Sequence, residues 1–223
     1  MASSEVFSDN GLSAMSRGNV YLLLSRLYSG EADRDLLDWL CSQQVVSALE
    51  SLGVDVARML SCPPEGSAEG PGHLFQGLLE ELAEEYTALF LLPGGVLPYE
   101  SVRLKGQLCQ EPEWEVRKLY NDCGLVVNEQ RKIFADHIGV ELGFMGFLTG
   151  KEHAGWESGS VEEAHKWRRL QSEFFNAHLG GWAFNFLDDV ERVSCHGFYR
   201  EAAVLTKRFL ELEHKEFALP GGC

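Results

Sequence analysis

The sequence predicts an all-α protein, a single compact bundle of roughly ten helices. Apolar residues recur at three- and four-residue steps along most of its 223 residues, which is the spacing of one helix face. No segment keeps the alternation of apolar and polar residues that is typical of a half-buried strand. We expect residues 1–223 to form a single all-helical domain, with irregular segments at residues 62–72 and 91–110.

Several helices are predicted in the first part of the chain. The first covers Ser13 to Tyr28, where the hydroxyl of Ser13 or Ser16 can accept a hydrogen bond from the helix start. Asp33 can cap the next helix in the same way. Residues 45–60 are expected to form one or two short helices interrupted near Gly53, because glycine favours irregular backbone. The strongest pattern is that of residues 73–90, with an apolar face opposite a run of glutamates.

The second part of the chain carries clear start and stop signals. Pro112 suits the first turn of a helix, and Gly124 suits the position after its end. Ser160 to Glu163 has the pattern of a capping box, and the pair Gly180-Gly181 is expected to end the helix that follows. These signals predict helices over residues 112–123, 136–148, 160–179, 182–193 and 198–217.

Residues 89–102, reading LFLLPGGVLPYESV, interrupt the helical pattern. The preceding helix must stop at Pro93, because proline removes a backbone donor and the two glycines after it favour irregular backbone. The apolar loop at Leu91 and Leu92 has little reason to be exposed unless it contacts a partner. A polar and aromatic group follows the loop, consisting of Pro98, Tyr99, Glu100 and Ser101.

A second unusual segment begins the helix at residues 136–148. Asp136 is a preferred N-cap residue, and His137 in the first turn can hydrogen-bond a nearby carbonyl. The helix behind them has a stripe of glycines, and each glycine costs about 1 kcal/mol relative to alanine unless another contact compensates. We therefore expect another backbone to approach closely along this stripe, which consists of Gly139, Gly143 and Gly146.

Composition and charge limit the possible functions. The formal net charge is −15, which argues against nucleic-acid binding and against docking on anionic lipid, and is compatible with a basic peptide partner. The N-terminal sequence lacks the basic start and apolar core of a signal peptide, and no apolar run is long enough for membrane insertion. A cytoplasmic protein is expected.

Sequence motifs that are typical of enzymes are absent or incomplete. The sequence has no phosphate-binding loop and no nucleophile elbow. His137 and Glu141 lie four residues apart on one helix face, and with Asp136 they could ligate a metal ion. Carboxylate-bridged metal sites in helical bundles need a second copy of such a motif, which is absent. We therefore expect no metal and no cofactor, and a metal- or nucleotide-dependent enzyme using these three residues is kept as an alternative.

Several motifs, in this order, resemble those of one known family. They are YTALF at residues 86–90, PYESV at residues 98–102, DHIGVELGFM at residues 136–145 and FFNAHLGGW at residues 174–182. The resemblance is to the TorD/DmsD family of redox-enzyme maturation chaperones, and it covers most of the chain from about residue 73 onward. Many relatives have proline just before the Asp-His pair, where this chain has Ala135.

The resemblance implies a function. Members of that family are all-helical and bind the twin-arginine signal peptide of molybdenum-cofactor enzymes, holding the apoenzyme in the cytoplasm until the cofactor is inserted. It implies a chaperone that is not an enzyme, with a twin-arginine leader peptide and an apo-molybdoenzyme precursor as partners, and a monomer or homodimer as its oligomeric state. The implied peptide-binding residues, with Pro98 and Glu141 added from the surrounding motifs, are Pro98, Tyr99, Glu100, Ser101, Asp136, His137 and Glu141.

The chemistry of these residues agrees with that function. Glu100, Asp136 and Glu141 can pair with the guanidinium groups of a twin-arginine leader through charge-assisted hydrogen bonds. The apolar loop at residues 91–97 could receive the apolar stretch of the leader. A scaffold that binds a folded partner and not a leader is a third alternative.

Overall fold

A computed structural model of the chain describes residues 2–60, 71–127 and 133–218. Eleven α-helices and no β-strand are present in these ranges, so the all-α prediction is confirmed. Two of the helices, α5 and α9, continue directly into a π-helical turn, at Thr87–Leu91 and Phe175–Leu179. The helices are α1 (Ala2–Tyr28), α2 (Arg34–Leu40), α3 (Gln43–Ser51), α4 (Val56–Leu60), α5 (Pro71–Tyr86), α6 (Glu100–Lys105), α7 (Glu111–Asp122), α8 (Ile138–Glu157), α9 (Val161–Phe174), α10 (Gly180–Val193) and α11 (Gly197–Ala218).

Most boundary signals act as the sequence indicates. The Asp33 carboxylate accepts the Leu36 N–H at 2.9 Å and so caps α2. Gly53 has a φ of +75° between α3 and α4, and Gly124 has a φ of +78° after α7. The helix that contains α5 ends at Leu91, before Pro93. Helix α1 begins at Ala2, earlier than predicted, because helical hydrogen bonding propagates along a backbone once a helix has formed.

The two segments expected to be irregular differ in part from the prediction. Segment 91–110 was expected to lack secondary structure, but it contains helix α6, a single short helix too brief to give a periodic pattern. Gly106 ends this helix with a φ of +76°. Residues 62–70 of the other segment lie outside the described residues, while Pro71 and Gly72 belong to α5.

The predicted helix end at Gly180-Gly181 is wrong. Gly180 has helical dihedrals, φ −68° and ψ −21°, and the chain passes from the π turn straight into α10. A side chain at Gly180 would place its Cβ 2.8 Å from the Phe175 ring and 2.9 Å from the Phe175 carbonyl oxygen. Glycine is therefore present because the π turn packs tightly against this position, and not because the helix stops there.

The capping box predicted at Ser160 does not form. The Ser160 side chain makes no capping hydrogen bond to α9. Its main-chain N–H instead donates to the carbonyl of Gly155 at 2.8 Å, which closes the turn between α8 and α9.

The chain divides into two compact units. The first comprises Met1–Ser29, Tyr99–Ala183 and Glu211–Cys223, and the second comprises Gly30–Pro98 and Phe184–Leu210. The expectation of one domain over residues 1–223 stays a prediction. Among the described helices, none combines the length and the apolar character needed to cross a membrane.

In the first unit, α1 packs closely on the glycine stripe of α8. A Cβ added to Gly139 would lie 2.4 Å from the Ser29 hydroxyl oxygen, and one added to Gly143 would lie 3.1 Å from that of Ser25. The Ser25 hydroxyl also donates to the Gly139 carbonyl at 2.6 Å. Helix α1 therefore approaches the glycine stripe closely. The predicted backbone contact is present at Gly139, where an added Cβ would lie 3.2 Å from the Ser25 carbonyl oxygen, whereas the contacts at Gly143 and Gly146 are to side chains of α1.

A buried ionic network joins four helices of the first unit. Arg17 of α1 donates to both oxygens of Glu213 in α11 at 2.8 and 2.7 Å, and to Glu152 of α8 at 3.1 Å. It also donates to the Gln171 amide oxygen of α9 at 2.7 Å, and the Tyr21 hydroxyl donates to Glu213 at 2.9 Å. Because each acceptor comes from a different helix, this guanidinium fixes α8, α9 and α11 against α1.

The second unit has an aromatic core. The rings of Phe90 and Tyr199 pack edge to face with centroids 5.6 Å apart, and Phe186 lies 6.1 Å from Phe90. The Tyr199 hydroxyl donates to the Leu82 carbonyl at 3.2 Å. The Glu85 carboxylate accepts the N–H groups of Cys195 and His196 at 2.7 and 2.9 Å, and His196 Nδ1 accepts the Phe198 N–H at 3.1 Å and so caps the start of α11.

Two glycines of α8 give a matched test of the packing in the first unit. A Cβ at Gly155 would lie 2.7 Å from the main-chain nitrogen of Ala164, whereas a Cβ at Gly150 meets nothing within 4 Å. Gly155→Ala should lower the free energy of unfolding by about 1–3 kcal/mol through overpacking. Gly150→Ala should raise it by up to about 1 kcal/mol, because alanine favours the helix. Urea unfolding of both variants measures these changes, and equal effects would contradict the packing.

Candidate functional site

Asp136 supplies the acceptors for the start of helix α6. Its main-chain carbonyl accepts the Glu100 N–H at 3.0 Å, and its carboxylate Oδ2 accepts the Ser101 N–H at 2.8 Å. Tyr99 is the N-cap residue of α6 and makes no side-chain capping bond of its own. A residue from a distant part of the chain therefore caps α6 and brings Tyr99 beside His137, where the two residues form an isolated antiparallel bridge.

His137, and not Asp136, caps helix α8. Its Nδ1 accepts the Gly139 N–H at 3.0 Å, so the expectation that Asp136 caps α8 is wrong. Asp136 cannot serve there because its carboxylate is bonded to α6. Burial lowers the pKa of His137 to about 3, which keeps the ring neutral and leaves Nδ1 able to accept a hydrogen bond.

The other polar side chains of the site have partners on the π turn and on α10. His178 lies in the π turn, and its Nδ1 is 3.1 Å from Glu100 Oε2 and 3.3 Å from Oε1. The Trp182 indole N–H donates to Glu141 Oε2 at 3.1 Å. A π turn contains one residue more per turn than an α-helix, and such turns occur often at functional sites.

The result is a buried acidic cluster, which consists of Glu100, Asp136 and Glu141. Their exposed fractions are 1%, 0% and 0%. Burial raises the pKa of Glu141 well above its usual value, and the nearby Glu100 carboxylate adds to the effect. Burial also raises the pKa of Asp136, although hydrogen bonding from Ser101 opposes this change. The cluster therefore favours holding a proton on Glu141.

Two oxygens of the acidic cluster have unused bonding capacity. Asp136 Oδ1 and Glu141 Oε1 are buried and accept no hydrogen bond of regular geometry from the part of the chain that the structure describes, and the Ser101 hydroxyl oxygen beside them is unpaired as well. Glu100 lies close enough to Glu141 for a hydrogen bond with its protonated form, which also raises the pKa of Glu141. Buried polar atoms are nearly always paired in folded proteins, because an unpaired one costs about 1–3 kcal/mol. An arrangement of this kind can accept hydrogen bonds from a cationic donor group such as a guanidinium.

The outer side of the site is aromatic. Tyr99 is half-buried, and its ring packs edge to face on those of His137 and Phe134, with centroids 5.0 and 5.8 Å apart. Burial raises the pKa of the Tyr99 hydroxyl, with a smaller contribution from the Asp136 carboxylate. Tyr99 is thus the member of the site that reaches the surface.

The structure brings together six of the seven residues singled out in the sequence. Tyr99, Glu100, Ser101, Asp136, His137 and Glu141 lie in the first unit, linked by the contacts above. Pro98 is the last residue of its segment of the second unit and is buried. His178 and Trp182 were missed, although both lie within the motif at residues 174–182 that resembles the chaperone family.

Within the described ranges, no group of three or more His, Cys, Asp or Glu side chains is arranged to hold a metal ion. The three acidic side chains of the cluster are instead bonded to Ser101, His178 and Trp182.

The fold belongs to a recognisable class of helical proteins. A chain described as a redox enzyme maturation protein from Archaeoglobus fulgidus superposes with a TM-score of 0.50 at 21% sequence identity, covering 87% of this chain and 93% of that one. This likeness shows that the chain has the fold of redox enzyme maturation proteins.

Sequence comparison then identifies the family. The family model described as nitrate reductase delta subunit matches residues 74–188, and the chain belongs to this family. Chaperone protein TorD of Vibrio atlanticus is 28% identical over 91% of this chain and 94% of its own length. That of Vibrio parahaemolyticus is 29% identical over 88% and 92%, and that of a Shewanella species is 28% identical over 90% and 93%. The chain is therefore a redox-enzyme maturation chaperone of the TorD family and not an enzyme.

The raised pKa of Glu141 predicts a pH-dependent effect of Glu141→Gln. The native state holds this proton at pH values where the unfolded chain has lost it, so wild-type stability falls as pH rises above about 4.5. The variant carries no such proton, and its stability relative to wild type should rise by up to about 1.4 kcal/mol per pH unit. Urea unfolding between pH 5 and 8 measures this, and the exposed Glu157→Gln should show no such trend.

Proposed function

We propose that the protein is a cytoplasmic chaperone that binds the twin-arginine leader of a molybdenum-cofactor oxidoreductase precursor and holds the apoenzyme until its cofactor is inserted, before export. The observation that carries this proposal is the pair of unpaired oxygens, Asp136 Oδ1 and Glu141 Oε1, in a buried acidic cluster. The family of the chain and the names of its relatives support a redox-enzyme client.

An arginine side chain suits this cluster for two reasons. The guanidinium is planar and presents donors in a fixed fork, so a single group can reach oxygens of two carboxylates. Its charge also stabilises the ionised form of Glu141, which burial and Glu100 disfavour in the free protein. A lysine ammonium offers a compact point charge and fits such a forked arrangement less well.

The proposed peptide site comprises Tyr99, Glu100, Ser101, Asp136, His137 and Glu141, with Pro98 before them. Because the carboxylates are buried, an arginine reaches them only when the turn at Tyr99 opens. This turn is held to Asp136 by the two hydrogen bonds to α6, and a guanidinium that donates to the same carboxylate compensates for loosening them. The net charge of −15 accelerates the encounter with a basic leader at low ionic strength.

The alternatives make different predictions for the same assay. A scaffold for a folded partner binds no isolated leader peptide. A metal-dependent enzyme using Asp136, His137 and Glu141 has no supporting observation, since the described residues include no group of His, Cys, Asp or Glu side chains arranged to hold a metal ion, and His137 Nδ1 already accepts the Gly139 N–H. The expected solution state is a monomer or a homodimer.

Calorimetric titration with a twin-arginine leader tests the proposal directly. The leader should bind, and the same peptide with both arginines replaced by lysine should bind about tenfold or more weakly, because the forked hydrogen bonds are lost. Absence of binding by either peptide would contradict the proposed function. Equal binding of both would show that net charge alone determines affinity.

Removing one charge from the cluster should weaken leader binding. Asp136→Asn keeps an oxygen that can accept the Ser101 N–H but loses the negative charge, and the dissociation constant should rise about 10- to 100-fold. Asp122→Asn removes the same charge from an exposed position of α7 and should have almost no effect. Titration at two salt concentrations separates local pairing from long-range attraction. Equal losses for the two variants would argue against a site at Asp136.

A further inference from the structure

A fourth buried carboxylate lies beside the acidic cluster. Glu113, in the first turn of α7, is 4% exposed. Tyr120 follows it by seven residues, which places both side chains on the same face of the helix. The Tyr120 hydroxyl donates to the carbonyl of Ala135, the residue before Asp136, at 3.1 Å. This bond holds the face of α7 that carries Glu113 against the segment that carries Asp136.

Glu113 and the acidic cluster form one electrostatic group. Burial is the largest cause of the raised pKa of Asp136, and repulsion from the Glu113 carboxylate adds to it. Burial likewise raises the pKa of the Tyr120 hydroxyl, and the three carboxylates of the acidic cluster and that of Glu113 add to the effect. The Tyr120 hydroxyl is therefore close to all four carboxylates.

Glu113 differs from the acidic cluster because it has a counter-ion within the chain. The Arg117 Nε donates to Glu113 Oε1 at 2.8 Å, and Nη2 donates to the same oxygen. A guanidinium can bond both oxygens of a carboxylate, so this pair uses only part of the capacity of either group. The Arg117 side chain is 36% exposed and can return to water, whereas Glu113 is buried and needs a cationic partner.

Glu113 and Asp136 face the same part of the surface. Cys109 is exposed and lies near both of them. Partial desolvation raises the pKa of the Cys109 thiol, and the carboxylates of Glu113 and Asp136 raise it further. Consecutive Cα atoms of a peptide are about 3.8 Å apart, and arginine side chains are long, so adjacent arginines of one peptide can reach two neighbouring carboxylates.

We propose that Glu113 is a specificity-determining residue of the peptide site, which binds one arginine of the leader by displacing Arg117 while the acidic cluster binds the other. This inference rests on the proposed function and deepens it by giving each guanidinium its own carboxylate partner. Arg117 is then an internal competitor of the leader. It pairs with Glu113 in the free protein and returns to solvent when the leader binds.

Leaders with a single lysine test the assignment of Glu113. In wild type, lysine at either arginine position should weaken binding, and Glu113→Gln should weaken binding of the twin-arginine leader about tenfold. In Glu113→Gln, one and only one of the two single-lysine leaders should bind as well as the twin-arginine leader, because the arginine that it lacks has no carboxylate partner left. Glu115→Gln removes the same charge from an exposed position of α7 and should retain wild-type affinity and both lysine effects.

Arg117→Gln should have the opposite effect on affinity. The free variant buries Glu113 without its counter-ion, so its melting temperature should fall, while the twin-arginine leader should bind about threefold or more tightly because it no longer competes with Arg117. A purely structural ion pair would lower the melting temperature and leave the affinity unchanged. Lys118→Gln removes the same charge at the next, exposed residue and should change neither quantity.

The outcomes separate this inference from the proposed function. If Glu113→Gln keeps the effect of both lysine substitutions, or if Arg117→Gln binds the twin-arginine leader no more tightly than wild type, the inference is wrong although leader binding stands. If wild type binds none of the leaders, the proposed function itself fails. Thermal unfolding of every variant establishes that it is folded at the temperature of the titration.

Discussion

The first main-chain donors of α6 have no partner within their own helix, and Asp136 supplies acceptors for two of them. The arrangement of the site depends on this contact. It fixes the short helix α6 against the start of α8, and so places Tyr99 beside His137. Because α6 has only six residues, it could not hold its position by helix propensity alone. A single residue thus connects two motifs that are far apart in the sequence.

The cost of this arrangement is electrostatic. Three carboxyl groups are buried near one another, and burial and mutual repulsion raise the pKa of Glu141. Hydrogen bonds from Trp182 and contact with His178 offset part of that cost. A cluster of this kind stabilises the fold less than an apolar core of the same volume would. The proposed binding of a cationic group would supply the charge that the cluster lacks.

Much of the fold follows from periodicity, and the exceptions have physical causes. The sequence correctly predicts the long helices, the glycine stripe of α8 and the break before Pro93, because each of these features depends on neighbours close in sequence. Helix α6 was missed because its cap lies 35 residues from Ser101. The sequence predicts the acidic residues of the site, but it does not predict that they are buried. His178 could not be placed on the site, because a π turn shifts the helical register on which such an argument depends.

The π turn at Phe175–Leu179 also constrains how this part of the chain can change in length. The π turn holds one residue more than an α-helical turn, so deleting one residue inside it can restore regular α geometry with little rotation of the helix that follows. Each residue of a regular α-helix turns the backbone by about 100°, so a deletion between the π turn and Trp182 would turn Trp182 away from Glu141. The π turn is therefore the place where this part of the chain can lose a residue while Trp182 stays on the site.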